Sequence, residues 1–275
     1  MDNIASNICS PGDLITTDPA FMGGHGIYTT ENNKYASVVG YVTKVNNLFL
    51  VQPIKTRYIG DVGDVVVGRI TAVDTSRWRV DINSTLDAML PLTSVNLPGG
   101  ELRRRSEEDE RMMRHYFVEN DLISAEVQNV HSDGSLSLHT RNLNYGKLGQ
   151  GCLIRVSSPL IKRQKVHFVN LPCGVSIILG RNGNIWVTST SIQESSRKNG
   201  GFTPLLKPVS LNERENISRI CNCIKALAKH HVLLYDTSIC TAFEISKQYQ
   251  IKEILDPKIA QEIAEKTEIQ LAVDS

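Results

Sequence analysis

Short apolar runs rich in valine and isoleucine dominate the first two thirds of the chain and predict β-strands. Val65, Val66 and Val67 follow a Gly63-Asp64 turn, and their β-branched side chains suit a pleated strand. A glycine such as Gly68 often marks a bulge or sharp bend, so residues 61–70 are predicted to open a small barrel. The strands predicted for this barrel cover residues 62–73, 78–82, 88–91, 122–130 and 135–140.

One polar segment lies between the third and fourth of these strands. Residues 106–117 begin with Ser106, a candidate N-cap, and continue with four acidic residues, which predicts a helix. Five short strands with one inserted helix are typical of an OB barrel, a fold that offers a strand face to single-stranded nucleic acid.

The regions on either side of the barrel have different patterns. Residues 1–56 contain three short β-like runs and are too few for a large core, so they predict a small β-sandwich. After residue 146 the pattern changes from strands to helices, because Ile217, Ile220, Ile224 and Leu227 form one apolar helical stripe. The predicted segments are strands at 26–30, 37–42, 48–51, 152–156, 175–179 and 185–187, and helices from 212, at 238–249 and at 257–267.

Together these patterns predict a multidomain, mostly β protein with an α+β C-terminal part. The three predicted domains are a small N-terminal β domain at 1–56, an OB barrel at 57–145, and an α+β domain with a helical tail at 146–275.

Composition narrows the class of protein. Of 275 residues, 41% are hydrophobic and 21% are charged, as in ordinary globular proteins, and no apolar stretch of about 18 residues could span a bilayer. The N-terminus lacks the pattern of a signal peptide, so secretion is not expected. The six cysteines are scattered and lack zinc-ligand spacing, which predicts reduced, mostly buried thiols and neither a metal nor a cofactor.

Charge is distributed unevenly along the chain. Residues 1–133 carry 12 Lys/Arg against 18 Asp/Glu, residues 134–193 carry 7 against 0, and residues 194–275 carry 11 against 11. The middle segment would present a positive field suited to a polyanion. The alternative is chance clustering, with some basic residues at protein contacts.

Basic residues therefore supply the candidate RNA contacts. Trp78 lies between Arg77 and Arg79, and strand alternation predicts a buried tryptophan with two exposed arginines. A triple-arginine run, residues 103–105, could contact either RNA or an acidic partner surface. The full set of candidates is Arg77, Arg79, Arg103, Arg104, Arg105, Arg141, Lys147, Lys162, Arg163 and Lys165.

Gly180, Arg181, Asn182 and Gly183 have the G-x-x-G spacing of the loop with which KH domains grip nucleotide backbones. That loop normally joins two helices, whereas strand-like runs flank this one and Asn-Gly is a hairpin signal. The motif is therefore predicted to be structural.

Seven short strings are distributed over most of the chain. They are residues 11–13 (PGD), 24–26 (GHG), 58–70 (YIGDVGDVVVGRI), 143–148 (LNYGKL), 162–164 (KRQ), 171–175 (LPCGV) and 178–186 (ILGRNGNIW). Together these strings resemble the ribosomal RNA-processing protein 4 family of RNA exosome cap subunits.

The resemblance implies an S1-type barrel, a KH-like third domain and a non-catalytic role. Such a cap subunit sits on a six-membered ring, stabilises it and guides single-stranded RNA to the central pore, in the nucleus, the nucleolus and the cytoplasm. Its implied partners are RNA, bound largely without regard to sequence, the ring subunits and the other cap subunits. A free-standing S1/KH RNA-binding regulator is the alternative, and an enzyme is disfavoured because the middle segment lacks the carboxylates of metal-assisted phosphodiester chemistry.

Overall fold

The computed structural model describes residues 8–54, 56–96, 107–193 and 208–274. The chain divides into two compact units, Met1–Thr56 and Arg57–Ser275. Within them, the predicted multidomain and mostly β architecture with an α+β C-terminal part is confirmed.

In its described residues, 8–54 and 56, the first unit contains seven short strands in two sheets. One sheet has the order β1-β6-β7-β3 and the other the order β2-β5-β4, and a small core of Cys9, Ala36 and Val51 is buried. The strand predicted at 37–42 begins later, at Gly40, which pairs with Pro53. The strands are β1 (Ile8–Cys9), β2 (Leu14–Thr16), β3 (Met22–Gly23), β4 (Ile27–Thr30), β5 (Asn33–Ala36), β6 (Gly40–Val45) and β7 (Leu48–Pro53).

The second unit begins with a closed five-stranded barrel. Its sheet has the order β12-β10-β9-β8-β11-β13, and β12 also pairs with β11, so the five strands β8 to β12 close the barrel and β13 is a sixth strand added beside β11. Trp78 is fully buried in its core, as strand alternation predicted, and its Nε1 donates to the carbonyl of Phe117 at 3.2 Å. The strands are β8 (Val65–Val73), β9 (Arg77–Asp81), β10 (Ala88–Pro91), β11 (Leu122–Val130), β12 (Leu136–His139) and β13 (Gly146–Lys147).

Gly68 serves the barrel differently from the bulge that the sequence suggested. The register between β8 and β9 shifts at Thr71, between Ile70 and Ala72. At Gly68 a Cβ atom would overlap the side chain of Val80, so this position needs glycine because two strands approach closely.

The segment inserted into the barrel is not one continuous helix. It forms α1 (Glu107–Arg111) and α2 (Met113–Tyr116), separated at Met112, whose ψ is 0°. Phe117 then turns inward and packs edge-on against Trp78, with ring centroids 5.2 Å apart. The break lets the end of the insertion reach the barrel core.

The rest of the second unit is a four-stranded antiparallel sheet with helices packed on one face. The sheet order is β14-β17-β16-β15, and Ser210 and Glu213 form a capping box at the start of the first helix. The sequence did not predict β15. The elements are β14 (Cys152–Arg155), β15 (Phe168–Leu171), β16 (Val175–Leu179), β17 (Asn184–Ser189), α3 (Leu211–Lys229), α4 (Asp236–Ser246) and α5 (Pro257–Asp274).

The six cysteines are free thiols, and Cys9, Cys221 and Cys223 are buried. Burial raises the pKa of the Cys221 thiol to about 12. Among the residues that the structure describes, no cluster of three metal-ligating side chains occurs. None of the described helices combines the length and apolarity needed to cross a membrane.

Candidate nucleic-acid interface

Two arginines on β9 project from the barrel wall around a shared carboxylate. Arg77 and Arg79 alternate with the buried Trp78, and their side chains are 49% and 53% exposed. Both donate through Nε to Oδ2 of Asp74, at 3.3 and 3.1 Å. Asp74 lies in the turn before β9, where its backbone N–H donates to the carbonyl of Arg77. The hairpin therefore fixes the carboxylate between the two guanidinium groups.

This arrangement is suited to binding a phosphate. A guanidinium group has five N–H donors, and Asp74 occupies one donor on each arginine, while Nη1 of Arg77 also donates to Sδ of Met89 at 3.3 Å. The three side chains together carry a net charge of +1, and arginine forks bind phosphate oxygens in a bidentate manner. Such contacts position a nucleic-acid backbone without reading its sequence.

The basic segment 162–165 precedes β15. Lys162 places its Nζ 4.7 Å from the centre of the Tyr235 ring, while Lys165 is exposed. Arg163 pairs with two acids of the barrel, at 3.2 Å from Asp61 and 3.9 Å from Asp64. Part of the positive charge of the acid-free middle segment is thus neutralised by acids from the preceding domain.

The other predicted contacts have different surroundings. Nζ of Lys147 lies 2.6 Å from Oδ2 of Asp121, and both side chains are only 20% exposed, so this lysine holds β13 to the start of β11. Arg141 is exposed, and its carbonyl accepts a hydrogen bond from the side chain of Asn96. Arg103, Arg104 and Arg105 lie outside the described residues.

The G-x-x-G turn joins β16 to β17 and is inserted against the barrel. Asn182 is 1% exposed, and its Nδ2 donates to the carbonyls of Val67 at 2.8 Å and Ile82 at 3.0 Å. Gly183 has a φ of +87°, which an L side chain rarely adopts. Asn184 adds a third bond of this kind, from its Nδ2 to the Val67 carbonyl at 2.7 Å.

Arg181, the second residue of this turn, also bonds to groups within the protein. Its backbone N–H donates to the carbonyl of Val65 at 2.8 Å, and Nη1 donates to the carbonyl of Ile161 at 2.6 Å. Its Nε lies 3.7 Å from Oδ1 of Asp64, a carboxylate that is 3% exposed. The polar atoms of the turn thus connect the barrel to the third domain.

Asp64 is central to this junction. The hydroxyl of Tyr58 donates to its Oδ2 at 2.8 Å, and the backbone N–H of Asp61 donates to the same atom at 3.2 Å. Burial, and next the negative charge of Asp64, raise the pKa of Tyr58 above its ordinary value.

The sequence does not show that Asp64 and Asn184 belong to the junction between the barrel and the third domain, or that Asp74 lies between the two arginines of β9. It predicts Asp64 only as part of a turn. The sequence signal for Asp74 was its position beside two arginines in a short hairpin, but sequence alone does not show which side chain points where.

The fold is that of a three-part chain in which an S1 domain and a KH domain follow an N-terminal β region. Family models match each part: "RRP4, S1 domain" at residues 57–129, "KH domain" at 151–193, and "Exosome complex exonuclease RRP4 N-terminal region" at 8–45.

Known proteins resemble the chain along almost its whole length. Exosome complex component RRP4 of Bos taurus is 58% identical over 94% of this chain and 87% of its own length. The Mus musculus protein is 56% identical over 92% of this chain and 86% of its own, and the Saccharomyces cerevisiae protein is 42% identical over 94% and 82%. The chain belongs to the RRP4 family of exosome complex components.

Proposed function

We propose that the chain is a non-catalytic, RNA-binding cap subunit that stabilises the exosome ring and guides single-stranded RNA to its central pore. The RNA would then undergo 3'-to-5' processing or decay, including ribosomal RNA processing and messenger RNA turnover. The proposed partners are RNA, the ring subunits and the other cap subunits, and the proposed locations are the nucleus, the nucleolus and the cytoplasm. Membership of a family whose members are named exosome complex components supports this proposal.

The observation that carries the RNA-binding part is the arginine pair on β9. Arg77 and Arg79 are half exposed, share one carboxylate and keep most of their donors available to a phosphate. The aromatic residue between them, Trp78, is fully buried and offers no surface on which a base could stack. Binding would therefore be electrostatic, largely independent of base sequence and sensitive to salt.

Several carboxylates of the barrel support a structural rather than a catalytic role. Asp64 accepts from Tyr58, Asp74 holds two arginines, and Asp121 pairs with Lys147. Each of these acids is thus engaged by a donor of the same chain.

Reconstitution tests both parts of the proposal. The chain is mixed with the ring and the other cap subunits, and assembly is followed by size-exclusion chromatography. In parallel, the pure chain is incubated with RNA and the release of nucleotides is measured. We expect the chain to enter the ring complex and to release no nucleotides by itself. A chain that stays monomeric would favour the free-standing RNA-binding regulator, and nucleotide release by the pure chain would contradict the non-catalytic role.

A further inference from the structure

The outer edge of the KH-like sheet offers a strand to which another chain could pair. β15 is the last strand in the sheet order β14-β17-β16-β15. The backbone N–H of Leu179 donates to the carbonyl of His167 at 2.9 Å, so these two residues form a hydrogen-bonded pair. Asn170, three residues after His167, lies opposite Ser176. Because bonded and non-bonded pairs alternate in an antiparallel ladder, the backbone N–H and carbonyl of Asn170 point away from β16. Asn170 is also exposed.

Helix α4 forms the second wall of a groove along this edge. At one end, Nε2 of Gln164 donates to Oδ1 of Asp236, the first residue of α4, at 2.9 Å. At the other end, the turn after β15 faces the last turn of α4. The helix therefore runs in the same direction as residues 164–173.

A cavity of about 190 Å³ lies at this second end. An apolar cavity of about 150 Å³ is large enough to bind benzene, so this one has room for a leucine or phenylalanine side chain. Its lining residues are Leu171, Pro172, Cys173, Cys240, Phe243, Glu244 and Lys247.

The charges around the groove favour an acidic occupant. Lys165 is exposed at the start of the edge, and Lys247 lies at the cavity with its Nζ 5.2 Å from the centre of the Phe243 ring. Lys162 adds a third positive charge, whereas Glu244 is the acid at the cavity and Asp236 already accepts from Gln164. Val166, between these features, is 63% exposed and offers apolar surface.

We propose that an extended acidic peptide segment of a partner protein docks on β15 as an added strand and inserts an apolar side chain into the cavity beside α4. Strand addition obtains affinity from main-chain hydrogen bonds, and pockets for alternate side chains supply selectivity. The groove has both parts: an outward-facing strand edge at Asn170 and a cavity two to three residues further along.

The first test measures the binding of a fluorescein-labelled hexapeptide of alternating aspartate and leucine to the full chain by fluorescence anisotropy. We expect saturable binding of this peptide. A peptide with alternate amides N-methylated, and a second peptide with lysine in place of aspartate, should each bind at least tenfold more weakly. Equal binding of the N-methylated peptide would overturn strand addition. Displacement of the peptide by oligouridylate at matched concentration would also overturn the proposal, because the groove would then be a nucleic-acid site.

A matched pair of variants tests the edge itself. Asn170→Pro removes the outward N–H, and proline is tolerated on an edge strand where that group faces solvent. Asn170→Ala keeps the N–H and loses only the side-chain acceptor for Ser176. We expect peptide binding at least tenfold weaker for the proline variant and within about twofold of wild type for the alanine variant.

A cavity variant supplies an independent measurement if the proline variant does not fold, as judged by circular dichroism. Cys173→Met fills part of the space at the end of the groove, and we expect at least fivefold weaker peptide binding. Wild-type affinity in this variant would contradict the assignment of the cavity as the side-chain pocket.

Discussion

Two regions of the molecule, the junction of the barrel with the KH-like domain and the outer face of β9, differ in what their polar side chains contact. At the junction with the KH-like domain, Asn182 and Asp64 are 1% and 3% exposed, and both bond to groups of the same chain. On β9, Arg77 and Arg79 are half exposed and share one carboxylate. Residue type alone does not distinguish a structural contact from a binding contact. The number of partners within the protein does.

The largest effect is expected where the buried turn loses its amide. Asn182→Ala would leave the Ile82 carbonyl without this donor and the Val67 N–H without its Oδ1 acceptor, while the Val67 carbonyl would keep its bond from Asn184. The site is closed to water, since Asn182 is 1% exposed. An unsatisfied buried acceptor costs about 1–3 kcal/mol, so we expect the free energy of unfolding to fall by about 2–4 kcal/mol. Denaturant unfolding measures it. Asn212→Ala, at an exposed position in the first turn of α3, is the control and should change stability by less than about 0.5 kcal/mol.

A smaller effect is expected for the carboxylate of the junction. Asp64→Asn would leave Arg181 beside a neutral group and weaken the bond from Tyr58. We expect a loss of about 1–3 kcal/mol in unfolding free energy, since Arg181 is mostly buried. Asp61→Asn removes an exposed partner of Arg163 and should cost well under about 1 kcal/mol. Equal effects of the two substitutions would show that Asp64 has no special role.

The pH dependence of stability tests the interior near the same turn. Burial lowers the pKa of His167 below its ordinary value of 6.5, while its Nδ1 lies 2.9 Å from the carbonyl of Leu179. The unfolded chain therefore binds this proton first, so unfolding free energy should be constant above about pH 6.5 and fall as the pH drops below it. Burial also lowers the pKa of His139, which contributes to the same fall, so His167→Asn should reduce the fall without abolishing it in denaturant unfolding between pH 7.5 and 5. An unchanged pH profile would exclude His167 as its source.

The smallest effect is expected at the shared carboxylate on β9. Asp74→Asn removes a negative charge next to both arginines, so RNA binding by the reconstituted complex should tighten by about two- to threefold. Fluorescence anisotropy with labelled oligouridylate measures the change. Weaker binding would indicate instead that Asp74 is needed to orient the guanidinium groups.

The sequence predicted much of the fold because its signals were local. Valine runs, the Asn-Gly hairpin and the isoleucine stripe each specify one element, and Trp78 follows from strand alternation. β15, residues 168–171, was missed because it is an edge strand in which only Leu171 is buried, so its sequence FVNL shows no alternation of apolar and polar residues. The helix break at Met112 occurs in a segment whose end, Phe117, packs against Trp78 in the barrel core, and a local pattern does not contain such a long-range contact.

The candidate site was less predictable for the same reason. Positive charge is visible in a sequence, but its neutralisation depends on contacts between residues far apart in the chain. Lys147 pairs with Asp121, Arg163 with Asp61, and Arg181 with Asp64. The acid-free segment is therefore less positive in the folded chain than its composition suggested.

The salt dependence of RNA binding tests most directly whether the β9 arginines are phosphate contacts. In the reconstituted complex, Arg77→Ala with Arg79→Ala should weaken oligouridylate binding and reduce the slope of log K against log salt by about 1.4, since each phosphate contact on a single strand contributes about 0.7. Lys258→Ala with Lys266→Ala, which removes the same charge from exposed positions on α5, is the control and should leave the slope unchanged. An unchanged slope in the arginine variant would contradict a role for β9 in guiding RNA.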